Sequence, residues 1–355
     1  MEPNHSYDEL SSNWVEDLKS AIPNGSRVVV VCSRGSIERG ILDSIHSAIV
    51  QSDITIEIFA PENPDLTFLQ EIFEPVAKLS IDYIVAVGGG SVLDTAKAIK
   101  LFFSVEDWLD FQYQAEYGVT SNPNGCRIIA IPTTAGSGSE VTPFATLWDK
   151  QESKKLSIDA PWLLPNTPIV DPILLATLSG DKLLYPALDA ISHSVESLWS
   201  KRKTPESREY ALSALSFSEN AIASFKNGSP NLAQFALAGT YAGRAIAISR
   251  TALAHSISYP LTLTYGIPHG LACSFTLGEI FSLVNECGVI EEEEFHHIEK
   301  ILDILRPLNI GSRIRDYCSI DEVFELMPRM SSPGRSNNIA VDFDLFSILH
   351  GAITK

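Results

Sequence analysis

The sequence predicts a chain in two parts: a doubly wound α/β unit built on a parallel sheet, then an all-helical unit. Three observations carry this. Short β-branched runs alternate with helical stretches in the first third, at 27–32, 37–50, 55–59, 66–79 and 83–87, which is the pattern of successive βαβ units. VVVV at 28–31 and YIVAV at 83–87 are apolar at consecutive rather than alternate positions, as strands covered by helices on both faces require. Beyond Asp171-Pro172 the strand signals fade, and long helical patterns follow at 181–199, 207–223 and 232–249. A chain of 355 residues favours two cores, because single cores stop growing near ~250–300 residues. Pro161, Pro165, Pro168 and Pro172 punctuate the change, so the boundary is expected at 171, with residues 1–171 in the α/β unit and 172–355 in the helical one.

Composition narrows the function. Against 26 basic residues stand 44 acidic ones, a formal charge of −18 that repels phosphate backbones and anionic lipid. Neither nucleic acid nor membrane is expected as a partner; a small-molecule substrate is. No apolar run approaches the ~18–20 residues of a membrane span, and the opening residues have neither a basic start nor an apolar core, so a cytoplasmic location is expected. The five cysteines are scattered without CxxC spacing and are odd in number, which argues for a reducing compartment. The acidic run at 291–294 suits a solvated helix start.

Two loops point to a nucleotide. In DYIVAVGGGSVLDTAKAIK, residues 82–100, a buried strand runs into Gly88, Gly89 and Gly90, and an amphipathic helix opens at Ser91. Glycines let the backbone approach a diphosphate, and a helix N-terminus offers free N–H groups and a positive dipole end. By itself this is equally a tight turn. In IIAIPTTAGSGSEVT, residues 128–142, a strand leads to Thr133, Thr134, Ser137 and Ser139, hydroxyls suited to phosphate, ribose or carboxamide, or simply a small-residue loop. Two such loops at carboxyl ends of strands in one α/β unit suggest a dinucleotide.

A metal set can also be assembled. Asp189 and His193 stand four apart on a predicted helix, so one face carries a carboxylate and an imidazole. His255 and His269 follow, the latter in a Pro-His-Gly turn. One carboxylate with three imidazoles suits Fe²⁺ or Zn²⁺, whereas Mg²⁺ or Ca²⁺ would want more oxygens. Taken singly, each of these is equally a core histidine or a helical polar pair.

In order and spacing, GGGSVLDTAKAI, PTTAGSGSEVT, DAISHSVE and HSISYPLTLTYGIPHG resemble the successive signatures of the iron-containing (group III) alcohol dehydrogenases. The resemblance covers residues 25 to about 280 and implies the two-part fold read above, an NAD or NADP cofactor, one divalent ion and a homodimer. It makes Asp189, His193, His255 and His269 the metal ligands. It sets Gly89, Gly90 and Ser91 against the pyrophosphate, with Asp94, Thr133, Thr134, Ser137 and Lys155 along the cofactor. Three features depart from the family pattern. Tyr259 stands where many relatives have a second histidine, so proton transfer runs through Tyr259 or water beside His269. Ser33 and Arg34 replace the usual ribose-binding Asp, which makes room for a 2′-phosphate. Arg244 and Arg250 stand where small or apolar residues are usual; Arg250, five residues before His255 on a predicted helix, either clamps a substrate anion or pairs with an acid such as Glu196 or Glu279.

SRTALAHSISYP with the short tail GRSNN resembles a subgroup containing phosphonoacetaldehyde reductases and an octulosonate 8-oxidase, which implies an anionic substrate, and Arg335 and Asn338 in that tail are either pocket residues or a surface turn. The expected reaction is hydride transfer between NAD(P) and a primary alcohol or aldehyde. A dehydroquinate synthase-like lyase and a non-catalytic nucleotide-binding module are the alternatives.

Overall fold

In the computed structural model, which describes residues 10–121, 125–152, 154–331 and 333–354, the consecutive apolar runs become central strands. Two units are present. One comprises the described residues up to Thr134 together with Ser139–Leu175; the other comprises Ala135–Gly138 and the described residues from Ala176 onward.

The first unit runs α1 (Trp14–Ala21), β1 (Arg27–Cys32), α2 (Gly35–Glu38), α3 (Ile41–Ala48), β2 (Asp53–Phe59), α4 (Leu66–Ala77), β3 (Tyr83–Gly88), α5 (Gly90–Phe102), α6 (Trp108–Tyr117), β4 (Arg127–Pro132), β5 (Phe144–Asp149), β6 (Lys154–Asp159) and β7 (Thr167–Pro168). Five strands form a parallel sheet in the order β2-β1-β3-β4-β7. Val28, Val30, Val85 and Val87 pack with Trp14, Leu18, Ile41 and Ile45 on one face. Val29, Val31, Ile84 and Ala86 pack with Leu69, Phe73, Leu93 and Ile99 on the other. Both faces are therefore buried, which is why these strands do not alternate.

Two local features differ from the sequence reading. The helix expected over 37–50 is broken, because Gly40 adopts φ 68°, the left-handed region, between α2 and α3. An antiparallel hairpin, Phe144 paired with Asp159 and Asp149 with Lys154, occupies a stretch for which the apolar pattern predicted no strand. Its strands include Asp149, Lys154, Lys155 and Asp159, residue types with weak strand preference.

The hairpin is tied to α5 by a buried polar cluster. Lys97, fully buried, donates to Ser139 Oγ (2.8 Å), Thr142 Oγ1 (3.3 Å) and the Phe144 carbonyl (2.8 Å). Burial pushes its ammonium down to about 8, against the pull of Asp94. A lysine lowered in the folded state binds fewer protons folded than unfolded between about 8 and its ordinary 10.5. Stability from this group therefore rises with pH across that window. Urea titrations of Lys97→Met and the parent should show a pH-dependent difference there, with the parent gaining on the variant as pH rises; parallel curves would refute the assignment.

The second unit contains α7 (Asp181–Trp199), α8 (Pro205–Lys226), α9 (Leu232–Ser249), α10 (Leu253–Tyr265), α11 (His269–Ser274), α12 (Leu277–Glu286), α13 (Glu292–Leu305), α14 (Ile310–Ile314), α15 (Ile320–Glu325), α16 (Pro333–Ser336) and α17 (Leu345–Thr354). The acidic run does open a helix, α13, but it is not wholly solvated. Glu294 is fully buried and accepts from Lys203 Nζ (3.0 Å) and Arg208 Nε (3.0 Å), cations brought from the start of α8. No helix among the described residues is long and apolar enough to cross a membrane.

Candidate functional site

In the first unit, the strand order reverses at β1/β3, the place where open parallel sheets accept nucleotides beyond their carboxyl ends. Register sets the two loops side by side: Gly88 pairs with Pro132, and Thr133 N donates to the Gly88 carbonyl (2.9 Å). Ser33 leaves β1 on the other flank, its hydroxyl 3.2 Å from that of Ser36. Helix α5 begins at Gly90, with Gly89 as a cap that has no side chain to satisfy the first N–H groups. Gly88 is sterically required, since a Cβ there would collide with the Val92 side chain; one on Gly89 would lie a tight 3.2 Å from Thr134 Oγ1. The Ser91 hydroxyl accepts from Asn63 N (3.0 Å).

The structure places the other residues expected along the cofactor on three different elements. Asp94 is engaged from both sides, by Ser139 Oγ (2.7 Å) and Thr146 N (2.9 Å), so its carboxylate secures the hairpin. Lys155 lies on β6, paired with Trp148. Ser137 belongs to Ala135–Gly138, the short segment that groups with the helical unit. The reason is packing: Cβ atoms on Gly136 and Gly138 would strike Pro186 of α7 and Gly243 of α9.

In the second unit, Asp189 and His193 lie one turn apart on α7, His255 on the first turn of α10, and His269 opens α11. All three imidazoles turn Nε2 toward one oxygen, Asp189 Oδ1, at 3.5 Å for His193, 3.3 Å for His255 and 3.8 Å for His269. The rings of His193 and His255 are stacked with centroids 4.6 Å apart. A fifth donor joins them that the sequence reading did not count. Cys273 Sγ lies 3.5 Å from His269 Nε2, and ligating atoms of Asp189, His255, His269 and Cys273 are all within 4.8 Å of one another.

This donor set fits a divalent ion. Asp189 Oδ1 and His255 Nε2 are buried atoms with no hydrogen-bond partner, in residues only 7% and 1% exposed. A buried acceptor left in that state is costly unless a cation fills the space. Burial would raise the Asp189 carboxyl, but His193, His255 and His269 together hold it well below the usual carboxylate range. Burial pushes His193 down to about 4 despite Asp189, leaving it neutral, the form that binds metal.

Glu196, three residues beyond His193 on α7, explains how His255 is aimed. It is fully buried, and its oxygens accept from Ala252 N (2.9 Å), Ala254 N (2.6 Å), His255 N (3.3 Å) and His255 Nδ1 (2.6 Å). One carboxylate thus caps α10, whose N-cap residue Ala252 has no capping side chain, and fixes the imidazole with Nε2 facing Asp189. The sequence reading had named Glu196 as a possible partner of Arg250; the structure shows it capping α10 and holding the His255 ring. Nor is Arg250 inside the helix that carries His255: it terminates α9 with φ 62° and ψ 165°, a conformation almost confined to glycine.

Arg244 lies with its guanidinium 4.9 Å from the Tyr241 ring and 5.6 Å from that of Tyr210, packed between α8 and α9. Tyr259 is buried and stacks on His269, centroids 5.5 Å apart at 15°. Arg335, half-buried, sits 5.1 Å over the Tyr259 ring and donates from Nε to Thr251 Oγ1 (3.1 Å). Asn338 is structural: its amide donates to the Ser249 (2.9 Å) and Thr251 (3.1 Å) carbonyls, clasping the tail to the α9–α10 turn.

The approach of α11 to α7 depends on Gly270, where an added Cβ would collide with the Tyr185 carbonyl oxygen and come within 3.0 Å of Asp189 N. Gly270→Ala should cost about 1–3 kcal/mol by overpacking and weaken metal binding as His269 moves away from Asp189. Denaturant unfolding with metal titration tests this; unchanged values for both would show the helices are free to adjust.

A profile described as iron-containing alcohol dehydrogenase matches residues 10–172, and one described as the C-terminal part of the Fe-containing alcohol dehydrogenase family matches residues 184–349. A phosphonoacetaldehyde reductase of Streptomyces viridochromogenes is 33% identical over 95% of this chain and 86% of its own length. A sulfoacetaldehyde reductase of Bilophila wadsworthia is 29% identical over 75% of this chain and 68% of its own. The crystal structure of an iron-containing alcohol dehydrogenase from Thermotoga maritima superposes with a TM-score of 0.80 at 27% identity, covering 93% of this chain and 92% of that one.

Proposed function

Because the chain belongs to the iron-containing alcohol dehydrogenase family and is thus a metal-dependent NAD(P)-linked oxidoreductase, we propose that its substrate is a small aldehyde or primary alcohol bearing an anionic group. The observation that carries the catalytic reading is the convergence of Asp189, His255 and His269 with two orphaned buried atoms among them. When bound, a divalent ion supplies Lewis-acid polarisation of the substrate oxygen. Asp189 offsets part of its charge, and Glu196 holds His255 in the ligating orientation. The first N–H groups of α5 and the loop at Thr133 and Thr134 hold the dinucleotide pyrophosphate. Burial holds the Tyr259 phenol above its ordinary value, so at neutral pH it stays protonated, a hydrogen-bond donor whose ring stacks on His269.

The anionic part of the proposal is supported by Arg335. It is a half-buried cation lying against the ring that stacks on a cluster histidine, and no ion pair joins it to an acidic side chain among the described residues. Such a guanidinium suits a phosphonate, sulfonate or carboxylate. Arg250, next to the Thr251 that anchors Arg335, is proposed to flank the same anion; Arg244 lies against the Tyr210 and Tyr241 rings. Relatives named for phosphonoacetaldehyde and sulfoacetaldehyde support this substrate class.

The test is NADH and NADPH turnover on paired short aldehydes, with and without an anionic group, sugar acids included. Arg335→Ala should raise KM for anionic aldehydes about 10- to 100-fold, the worth of a charge-assisted hydrogen bond, and leave neutral ones nearly unchanged. Equal effects on both halves of the panel would remove Arg335 from substrate recognition. Metal-loaded protein that transforms substrate with no net change in NAD(P)H would be a lyase.

A further inference from the structure

We propose that Cys273 ligates the metal ion as a thiolate, making the centre a mixed nitrogen, oxygen and sulfur site. The inference rests on the metal-dependent reading above and adds one donor to it. Cys273 follows His269 by four residues on α11, so an HxxxC pair presents an imidazole and a thiol on one helical face, just as Asp189 and His193 present a carboxylate and an imidazole on α7. The two faces meet where Gly270 permits close approach, with the Asp189 and Tyr185 backbones directly opposite.

The thiol is fully enclosed, and its Sγ is 3.5 Å and 3.7 Å from the two nitrogens of His269. It shares its surroundings with the orphaned Asp189 Oδ1 and His255 Nε2. These donors come from three helices, and their ligating atoms lie within 4.8 Å of one another, close enough for one ion to be shared among them. His193 approaches the same Asp189 oxygen yet stands outside the mutually close set, so Asp189, His255 and His269 are shared between the imidazole cluster and the set that Cys273 joins.

Ligation converts the thiol to a thiolate and releases one proton, Cys–SH plus M²⁺ giving Cys–S⁻–M²⁺ plus H⁺, with no change in oxidation state. A soft sulfur donor biases the site toward Zn²⁺, Co²⁺ or Fe²⁺ and against Mg²⁺ and Ca²⁺. Of the other cysteines in the helical unit, Cys287 is exposed, and Cys318 Sγ points to the Ile314 carbonyl.

Loading the full chain with Co²⁺ tests this independently of turnover. One equivalent should produce visible d–d bands and a near-ultraviolet thiolate-to-cobalt charge-transfer band, the latter lost in Cys273→Ser and kept in Cys287→Ser. X-ray absorption of Zn²⁺-loaded parent protein, which needs no variant, should show one sulfur scatterer at about 2.3 Å. Bound Co²⁺ without the charge-transfer band, or bound Zn²⁺ with only nitrogen and oxygen neighbours, would overturn the thiolate ligand and leave the metal-dependent reading standing. Failure to bind either ion would overturn both.

Discussion

Asp189→Ala is expected to purify without stoichiometric metal and to lose at least about a thousandfold in kcat/KM. The carboxylate oxygen is the single point toward which His193, His255 and His269 all turn, at 3.5, 3.3 and 3.8 Å. Without it, three imidazoles are left facing one another with no carboxylate oxygen at their point of convergence to draw a cation in. Lewis-acid stabilisation contributes several kcal/mol to the transition state, and each ~1.4 kcal/mol is tenfold in rate, which sets the thousandfold figure. Metal analysis and steady-state kinetics check it together. A variant that kept both its metal and its turnover would place the catalytic centre elsewhere.

Glu196→Ala should be the most damaging change outside the ligands themselves, costing about 3–5 kcal/mol of stability and 10- to 100-fold in metal affinity. Its carboxylate is fully buried and accepts from the Ala252, Ala254 and His255 backbone and from the His255 ring. Truncation strands four donors out of reach of water and frees His255 to rotate. Glu196→Gln keeps the shape but aims an amide N–H₂ at donors, so it should fall between the alanine variant and the parent. Urea unfolding and competitive Zn²⁺ titration measure the two effects separately. A stability within about 0.5 kcal/mol of the parent would mean that the capping bonds are replaced by solvent.

Much of this was legible before any fold was known, for reasons that can be stated residue by residue. The runs at Val28–Val31 and Ile84–Val87 could be read as doubly covered strands because a parallel sheet buries both side-chain directions, a property of each strand alone. Asp189 with His193 could be read as one ligating face because helical periodicity sets which residues are neighbours four positions apart. Cys273 carries the same signal, four residues after His269, but it sits on a helix of only six residues that an apolar pattern does not reveal. Arg250 was misplaced for a related reason: nothing local announces that an arginine will end α9 in a glycine-like conformation, since that strain is sustained by the surrounding packing.

The sequence by itself determined the element types, the glycine turn of the parallel sheet and the helical pairs that carry metal-binding side chains, because each follows from spacing along one stretch of backbone. Only the tertiary structure decided that Glu196 serves α10, that Lys97 anchors the hairpin, that Cys273 joins the donors and that Arg335 lies over Tyr259. Each of those contacts joins residues far apart in the chain or separated by an unforeseen helix break. Their energies come from burial and desolvation, which exist only once the helices have packed.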